Sequence, residues 1–168
     1  MIKEKIVNFW NNNLSEGVNR KAERQIITAN RLFHKNGMFF KAIALLLHNR
    51  NVRRYGCEIY PQATIGENLY IPHCVGIVVG NTAVIGDNCI IFPNVVIGAR
   101  YSCNTANPRG RRHAVCGNRV VFGANSTIIG DIRIGNDVII GAGAVVTRDV
   151  PDGVTVVGHN RILDRREG

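Results

Sequence analysis

From Ile59 onward an apolar residue recurs at every sixth position. The steps fall on Ile59, Ile65, Ile71, Ile77, Ala83, Cys89 and Val95, then break, and resume on Cys116, Phe122, Ile128, Ile134, Ile140 and Val146. Ten of these thirteen positions are Ile, Val or Phe, and a glycine follows the step at Gly66, Gly117, Gly123, Gly135 and Gly141. A period of six fits neither an amphipathic helix, at about 3.6 residues per turn, nor a plainly alternating strand. It predicts short strands joined by tight corners. Three hexads close one triangular coil of about eighteen residues, and the coils stack with their aliphatic side chains inward. The expected fold class is mainly β: a left-handed parallel β-helix of hexapeptide repeats behind a short N-terminal helical region.

The first part of the chain has a different rhythm. Ala29 to Phe33 and Phe39 to Leu47 carry apolar residues at mixed three- and four-residue spacings, with Gly37 as a break between them. Residues 1–56 therefore read as a helical region and 57–168 as the β-helix domain. Within the repeat, the interval from Val95 to Cys116 is 21 residues, fifteen more than one hexad. The polar and basic run from Tyr101 to His113 reads as a loop expelled from the coil, spanning about 99–115.

Composition narrows the partners. A chain of 168 residues with 45% apolar content supports one compact domain and a small appendage. Its formal charge of +9 favours nucleic acid, a membrane surface or a phosphate-rich cofactor. No basic surface interleaved with aromatic residues is apparent, which argues against nucleic acid. The start mixes charges and soon reaches Asn11, Asn12 and Asn13, unlike a secretory signal. The longest apolar run, Met38 to Leu47, includes Lys41 and is too short to span a bilayer, which takes about 20 residues. Five cysteines in no paired spacing fit free thiols in a reducing, cytoplasmic setting.

Few residues offer chemistry. His73 lies two positions after the inward Ile71, and Glu58 directly precedes the first repeat. Eighteen residues per coil set Glu58 over Gly76, three residues past His73, so carboxylate and imidazole could meet across neighbouring coils as a general-base dyad. A surface histidine beside an ordinary glutamate is the other reading. His113, preceded by Arg111 and Arg112, could bind an acceptor or steady negative charge, or belong to a solvated basic loop. Cys89 and Cys116 fall on inward steps and read as small core residues. Cys74 adjoins His73 without further sign of a nucleophile. The spacing of His73, Cys74, Cys103, His113 and Cys116 matches no common zinc pattern. His34, His48 and His159 read as structural or solvated.

Residues 29–163 resemble the C-terminal part of bacterial serine acetyltransferases and of their short relatives that O-acetylate capsular or exopolysaccharide sugars. Leu45–Arg50 looks like the helix entering that family's β-helix, and Ile59–Gly66 like its first coil. Gly76–Gly86 and Ile140–Val146 are similar to its repeat motifs. The resemblance implies an acetyl-CoA-dependent O-acetyltransferase. In that scheme His73 is the catalytic histidine and Glu58 its acidic partner. Arg112 and His113 form the Arg-His pair of the loop that closes over the acceptor, with Arg111 beside it. Gly98, Ala124 and Ala142 belong to the cofactor site, the two alanines lining the pantetheine arm. Thr147 and Arg148 meet the adenine end, and Arg161, Arg165 and Arg166 give the basic excess a use against the CoA phosphates. A homotrimer with active sites between subunits follows, and the scheme needs no metal.

Two departures from the serine enzymes bear on the acceptor. Pro72 stands where they carry an Asp that contacts the serine amino group, and most of their long N-terminal helical domain has no counterpart here. The loop before His113 is also longer. Loss of both carboxylates points to a sugar hydroxyl as acceptor, in capsular or exopolysaccharide biosynthesis. A lipid-linked acceptor would make membrane-surface contact by the basic helices useful. Serine O-acetylation for cysteine biosynthesis is the second reading. A non-catalytic or metal-binding hexapeptide protein is the third.

Overall fold

Among the described residues, thirteen short strands wind three sheets into a triangular prism, and two helices close one end of it. The structure, a computed structural model, describes residues 20–100 and 110–158. Cys103, His159, Arg161, Arg165 and Arg166, and most of the expelled loop, lie outside the described residues.

Side one holds β1 (Glu58–Ile59), β3 (Val78–Val79), β6 (Val96–Gly98), β9 (Thr127–Ile129) and β12 (Val145–Val146) in that order. Side two holds β2 (Thr64–Ile65), β4 (Val84–Ile85), β7 (Val115–Cys116) and β10 (Arg133–Ile134). Side three holds β5 (Ile90–Ile91), β8 (Val121–Phe122), β11 (Ile139–Ile140) and β13 (Thr155–Val156). Every pairing is parallel. The mainly β, parallel β-helix expectation is met.

Each side buries two residues per hexad rather than one. Ile77 and Val79, Ala83 and Ile85, Cys89 and Ile91, and Val95 and Ile97 all point inward. The apolar stack down the prism axis is thus double, and Phe122, Ile128 and Ile140 continue it without exposed surface.

Coil lengths differ from the regular eighteen in a way that six-residue stepping conceals. Glu58 pairs with Val78 and Thr64 with Val84, so the first coil takes twenty residues. The two extra residues lie between Ile71 and Gly76. There Pro72–Val75 fills a corner that Phe92 and Pro93 alone fill one coil later, since Asn94 N–H donates to Val75 O and Asn125 N–H to Pro93 O. Stepping by six slips at this point from the row of Ile71 to the row of Ile77. Both rows are buried, so the slip leaves no polar mismatch. Glu58 therefore sits opposite Val78, not Gly76. Val84 pairs with Val115, a step of 31, so the expelled loop exceeds the regular coil by thirteen residues rather than fifteen.

The corners use glycine for room more than for backbone freedom. A Cβ on Gly86 would come within 2.5 Å of Gly117 O in the next coil, although Gly86 has no positive φ. Left-handed corner positions fall instead largely to asparagine, at Asn68, Asn88, Asn94 and Asn125, with φ between 55° and 60°. Stacked pairs bond to each other along the prism edge: Asn94 Nδ2 donates to Asn125 Oδ1 at 3.1 Å, and Asn68 Nδ2 to Asn88 Oδ1 at 3.2 Å.

Helices α1 (Arg20–Phe33) and α2 (Met38–Tyr55) pack against each other and against the first coil. Ala22, Ile26, Ala29 and Asn30 give α1 one buried stripe at helical spacing. Polar side chains fasten the pair to the coil. Asn30 Nδ2 donates to Pro61 O and to Ala63 O at 3.1 and 2.6 Å, His34 Nε2–H to Ala63 O at 3.2 Å, and His48 Nδ1–H to Ile59 O at 3.1 Å. His34 and His48 are structural.

Candidate functional site

His73 and Glu58 share the corner where side three turns into side one. The two-residue insertion displaces the chain outward there, leaving His73 exposed while Cys74, its neighbour, is buried. The strand carrying Glu58 runs beside the end of this corner: Gly76 N–H donates to Gly56 O, and Glu58 N–H to Ile77 O, both at 2.8 Å. Among the described residues no hydrogen bond or ion pair joins the Glu58 carboxylate to the His73 ring. The carboxylate instead lies near Tyr60, whose hydroxyl pKa it raises.

Under this corner Cys57 and Cys74 are in contact, and both are buried. The contact raises the pKa of Cys57 and lowers that of Cys74. Cys89 and Cys116 are core residues, as their inward steps predict. Burial raises the Cys89 thiol to about 11 and the Cys116 thiol further.

His113 stands at another corner, where side one turns into side two. Its ring is buried, with Nδ1 2.7 Å from Thr82 Oγ1. The same oxygen accepts the Arg112 backbone N–H at 3.0 Å. A hydroxyl that accepts one bond still has its own proton to give, and Nδ1 is the group it meets. Where the hydroxyl gives its proton to Nδ1, the imidazole proton lies on Nε2. Nε2 lies over Gly80, where any Cβ would fall on the ring. Burial, and then the charge of Arg112, lower the His113 pKa and favour the neutral ring. Thr82 and Gly80 flank the His113 ring, and the repeat gave no reason to single them out. Their only sequence signal is that Gly80–Asn81–Thr82 forms a corner of the coil.

Arg111 does not share the freedom of Arg112. Its Nε lies 3.5 Å from Asp131 Oδ1, an ion pair within the chain. That contact commits the guanidinium to the next coil and leaves Arg112 as the better placed of the two for an acceptor.

The remaining candidates divide between the same two edges. Ala124 and Ala142 follow β8 and β11 on the edge that carries His73. Gly98, Thr147 and Arg148 lie on the edge that carries His113, where Arg100 Nη2 donates to Thr147 O at 3.0 Å. The chain thus splits the candidate residues across the width of side one, roughly 15–20 Å for six residues of extended chain. No group of three or more His, Cys, Asp or Glu able to hold a metal occurs among the described residues.

The chain matches the family model of the bacterial transferase hexapeptide (six repeats) over residues 113–148. It is 44% identical over 125 residues to the serine acetyltransferase of Helicobacter pylori, covering 74% of this chain and 69% of that one. The chain belongs to the serine acetyltransferase family. It is also 46% identical over 103 residues to the Synechococcus elongatus serine acetyltransferase, covering 61% of this chain and 40% of that one. A solved Neisseria gonorrhoeae serine acetyltransferase in complex with serine superposes with a TM-score of 0.70 at 38% identity, covering 82% of this chain and 53% of that one. The chain thus spans about half the length of several relatives it matches.

These relationships overturn the expectation of a sugar acceptor in polysaccharide biosynthesis, since the relatives of this family are serine enzymes. That expectation rested on the loss of two carboxylates, one at Pro72 and one in the N-terminal helical domain, and on the longer loop before His113. A carboxylate does reach the same corner from another element. Glu23 of α1 accepts the Ile71 backbone N–H at 3.3 Å on Oε2, two residues from His73, and its charge acts on Cys74.

Proposed function

We propose that this chain is a serine O-acetyltransferase, moving acetyl from acetyl-CoA to the hydroxyl of L-serine in a cleft between two subunits. The observation that carries the reading is the 44% identity to the Helicobacter pylori serine acetyltransferase over most of both chains. The placement of the candidate residues supports a shared cleft. Each subunit offers one edge with His73 and another with His113, and three prisms packed about an axis can set unlike edges together.

In this scheme His73 takes the proton from the serine hydroxyl as the oxygen attacks the thioester carbonyl. Glu58, at the same corner, stabilises the resulting imidazolium; such bonds often form only in the reacting complex. His113 of the adjoining edge, neutral with its proton on Nε2, donates to the developing oxyanion. Collapse of the tetrahedral species breaks the C–S bond, and His73 returns the proton to the CoA sulfur. Acetyl-CoA lies along the cleft, with Ala124 and Ala142 on one wall and Gly98, Thr147 and Arg148 on the other.

Serine supplies two further charges, and the chain has a partner for each. The Arg112 guanidinium suits the carboxylate, which a neutral sugar would lack. Glu23 faces the ammonium in place of the carboxylate that Pro72 lacks.

The test is CoA release from acetyl-CoA, followed by thiol detection, with L-serine as acceptor. Release that depends on L-serine and falls by about 10²-fold or more in His73→Ala supports the reading. No serine-dependent release from protein that still binds acetyl-CoA overturns it.

A further inference from the structure

The positive charge of this chain does not lie on the β-helix. Residues 57–168 carry ten Lys and Arg against nine Asp and Glu, so the prism and its tail are nearly neutral. Residues 20–55 carry nine cations against the single carboxylate of Glu23, a net +8 of the chain's +9. The basic excess therefore belongs to the helical hairpin and needs a partner other than the CoA phosphates.

The same hairpin shows large apolar side chains to solvent. Met38 is 88% exposed, Phe39 72% and Leu46 67%, and Leu45 is also exposed. On α2 the positions 38, 42, 45, 46 and 49 fall on one face, opposite the buried Ala44, His48 and Asn51. The outer face of α2 is thus apolar over its first three turns, and Arg50, Arg53 and Arg54 are exposed around its end. On α1, exposed Lys21, Arg24 and Arg31 form a row at helical spacing. At the hairpin tip, Lys35 Nζ sits 5.5 Å from the Phe40 ring and Lys41 Nζ 5.6 Å from the Phe33 ring, so cations flank the exposed Met38 and Phe39.

We infer that the hairpin docks this protein on an anionic phospholipid bilayer, Phe39, Met38 and Leu46 entering the headgroup boundary while the surrounding Lys and Arg meet the lipid charge. Two features favour this occupant. A second copy of the same face would bring its +8 against another, which repulsion opposes. Nucleic acid uses the cations but leaves the aliphatic side chains in water, whereas the interface of an acidic bilayer accepts both. No helix among the described residues is long and apolar enough to cross a membrane, so the contact is peripheral.

The experiment is co-sedimentation of the full chain with vesicles of phosphatidylcholine alone or mixed with phosphatidylglycerol. The expected result is binding to the mixed vesicles only, weakened about tenfold or more by high salt. F39S/L46S should weaken it several-fold and K35E/K41E more, with serine acetylation in solution kept as evidence that both variants fold. Absence of binding to anionic vesicles overturns the inference, as does equal binding by the variants. If F39S/L46S instead lowers the oligomer mass or the melting temperature, with no vesicle binding by the parent, the face is covered by a second copy or by residues 1–19.

Discussion

A single hydroxyl organises the second histidine of the proposed site. Thr82 Oγ1 touches His113 Nδ1 and accepts the Arg112 N–H, so it holds both the ring and the end of the loop that precedes it. Thr82→Val keeps the shape but removes the donor and strands a buried nitrogen. We expect kcat to fall by about tenfold or more with the KM for acetyl-CoA little changed, and Thr82→Ser to restore most of the loss. A role confined to folding would lower the melting temperature without this split. His113 also sets a pH dependence of stability. Its pKa is lowered in the folded chain, so the unfolded chain takes up the proton first as pH falls. Its contribution is complete above the unfolded value, about 6.5, and is lost as pH drops through that value toward the folded one. Melting temperatures followed from pH 8 to pH 5 should decline, and His113→Gln should flatten the decline. The histidines themselves were legible in the sequence. Thr82 was not, because nothing in a six-residue period marks which corner residue will face an imidazole thirty-one positions away.

The β-helix was readable because each strand repeats the same demand, and misreadable for the same reason. Every hexad buries two residues, so an apolar step of six survives a two-residue insertion by moving from one buried row to the other. That is how the corner holding His73 hid its extra residues, and why Glu58 falls opposite Val78 instead of Gly76. The insertion pushes His73 out of a corner that otherwise has room only for two residues. Contacts between elements of different period leave no mark in either period, so the bond from Ile71 N–H to Glu23 could not be foreseen from the repeat. Its meaning for the acceptor can be measured. Glu23→Gln keeps an acceptor oxygen for Ile71 N–H but removes the charge. The KM for L-serine should rise by about tenfold while that for acetyl-CoA stays unchanged, in line with loss of one charged partner for an ammonium. Equal effects on both constants would mean that Glu23 only supports the corner.

At the scale of the whole molecule, the decisive feature is that side one separates His73 from His113. The two rings sit on different edges of a rigid prism whose core is closed by stacked aliphatic side chains, and no rotamer change spans that width. A site using both histidines must therefore draw them from different subunits. This has a consequence that a site within one chain cannot imitate. His73→Ala and His113→Ala should each be nearly inactive alone. In mixed oligomers a cleft is complete when its first edge comes from a His113→Ala chain and its second from a His73→Ala chain. For equal amounts assembling at random, about a quarter of the clefts meet that condition. Co-expressing the two variants with different tags, isolating the mixed trimers, in each of which one cleft in three is complete, and assaying serine-dependent CoA release should return about a third of the wild-type rate. A rate no higher than that of the parent variants would place the whole reaction within one subunit. His113 would then have to act on something other than the reacting carbonyl, because the fold holds it too far from His73 to share it.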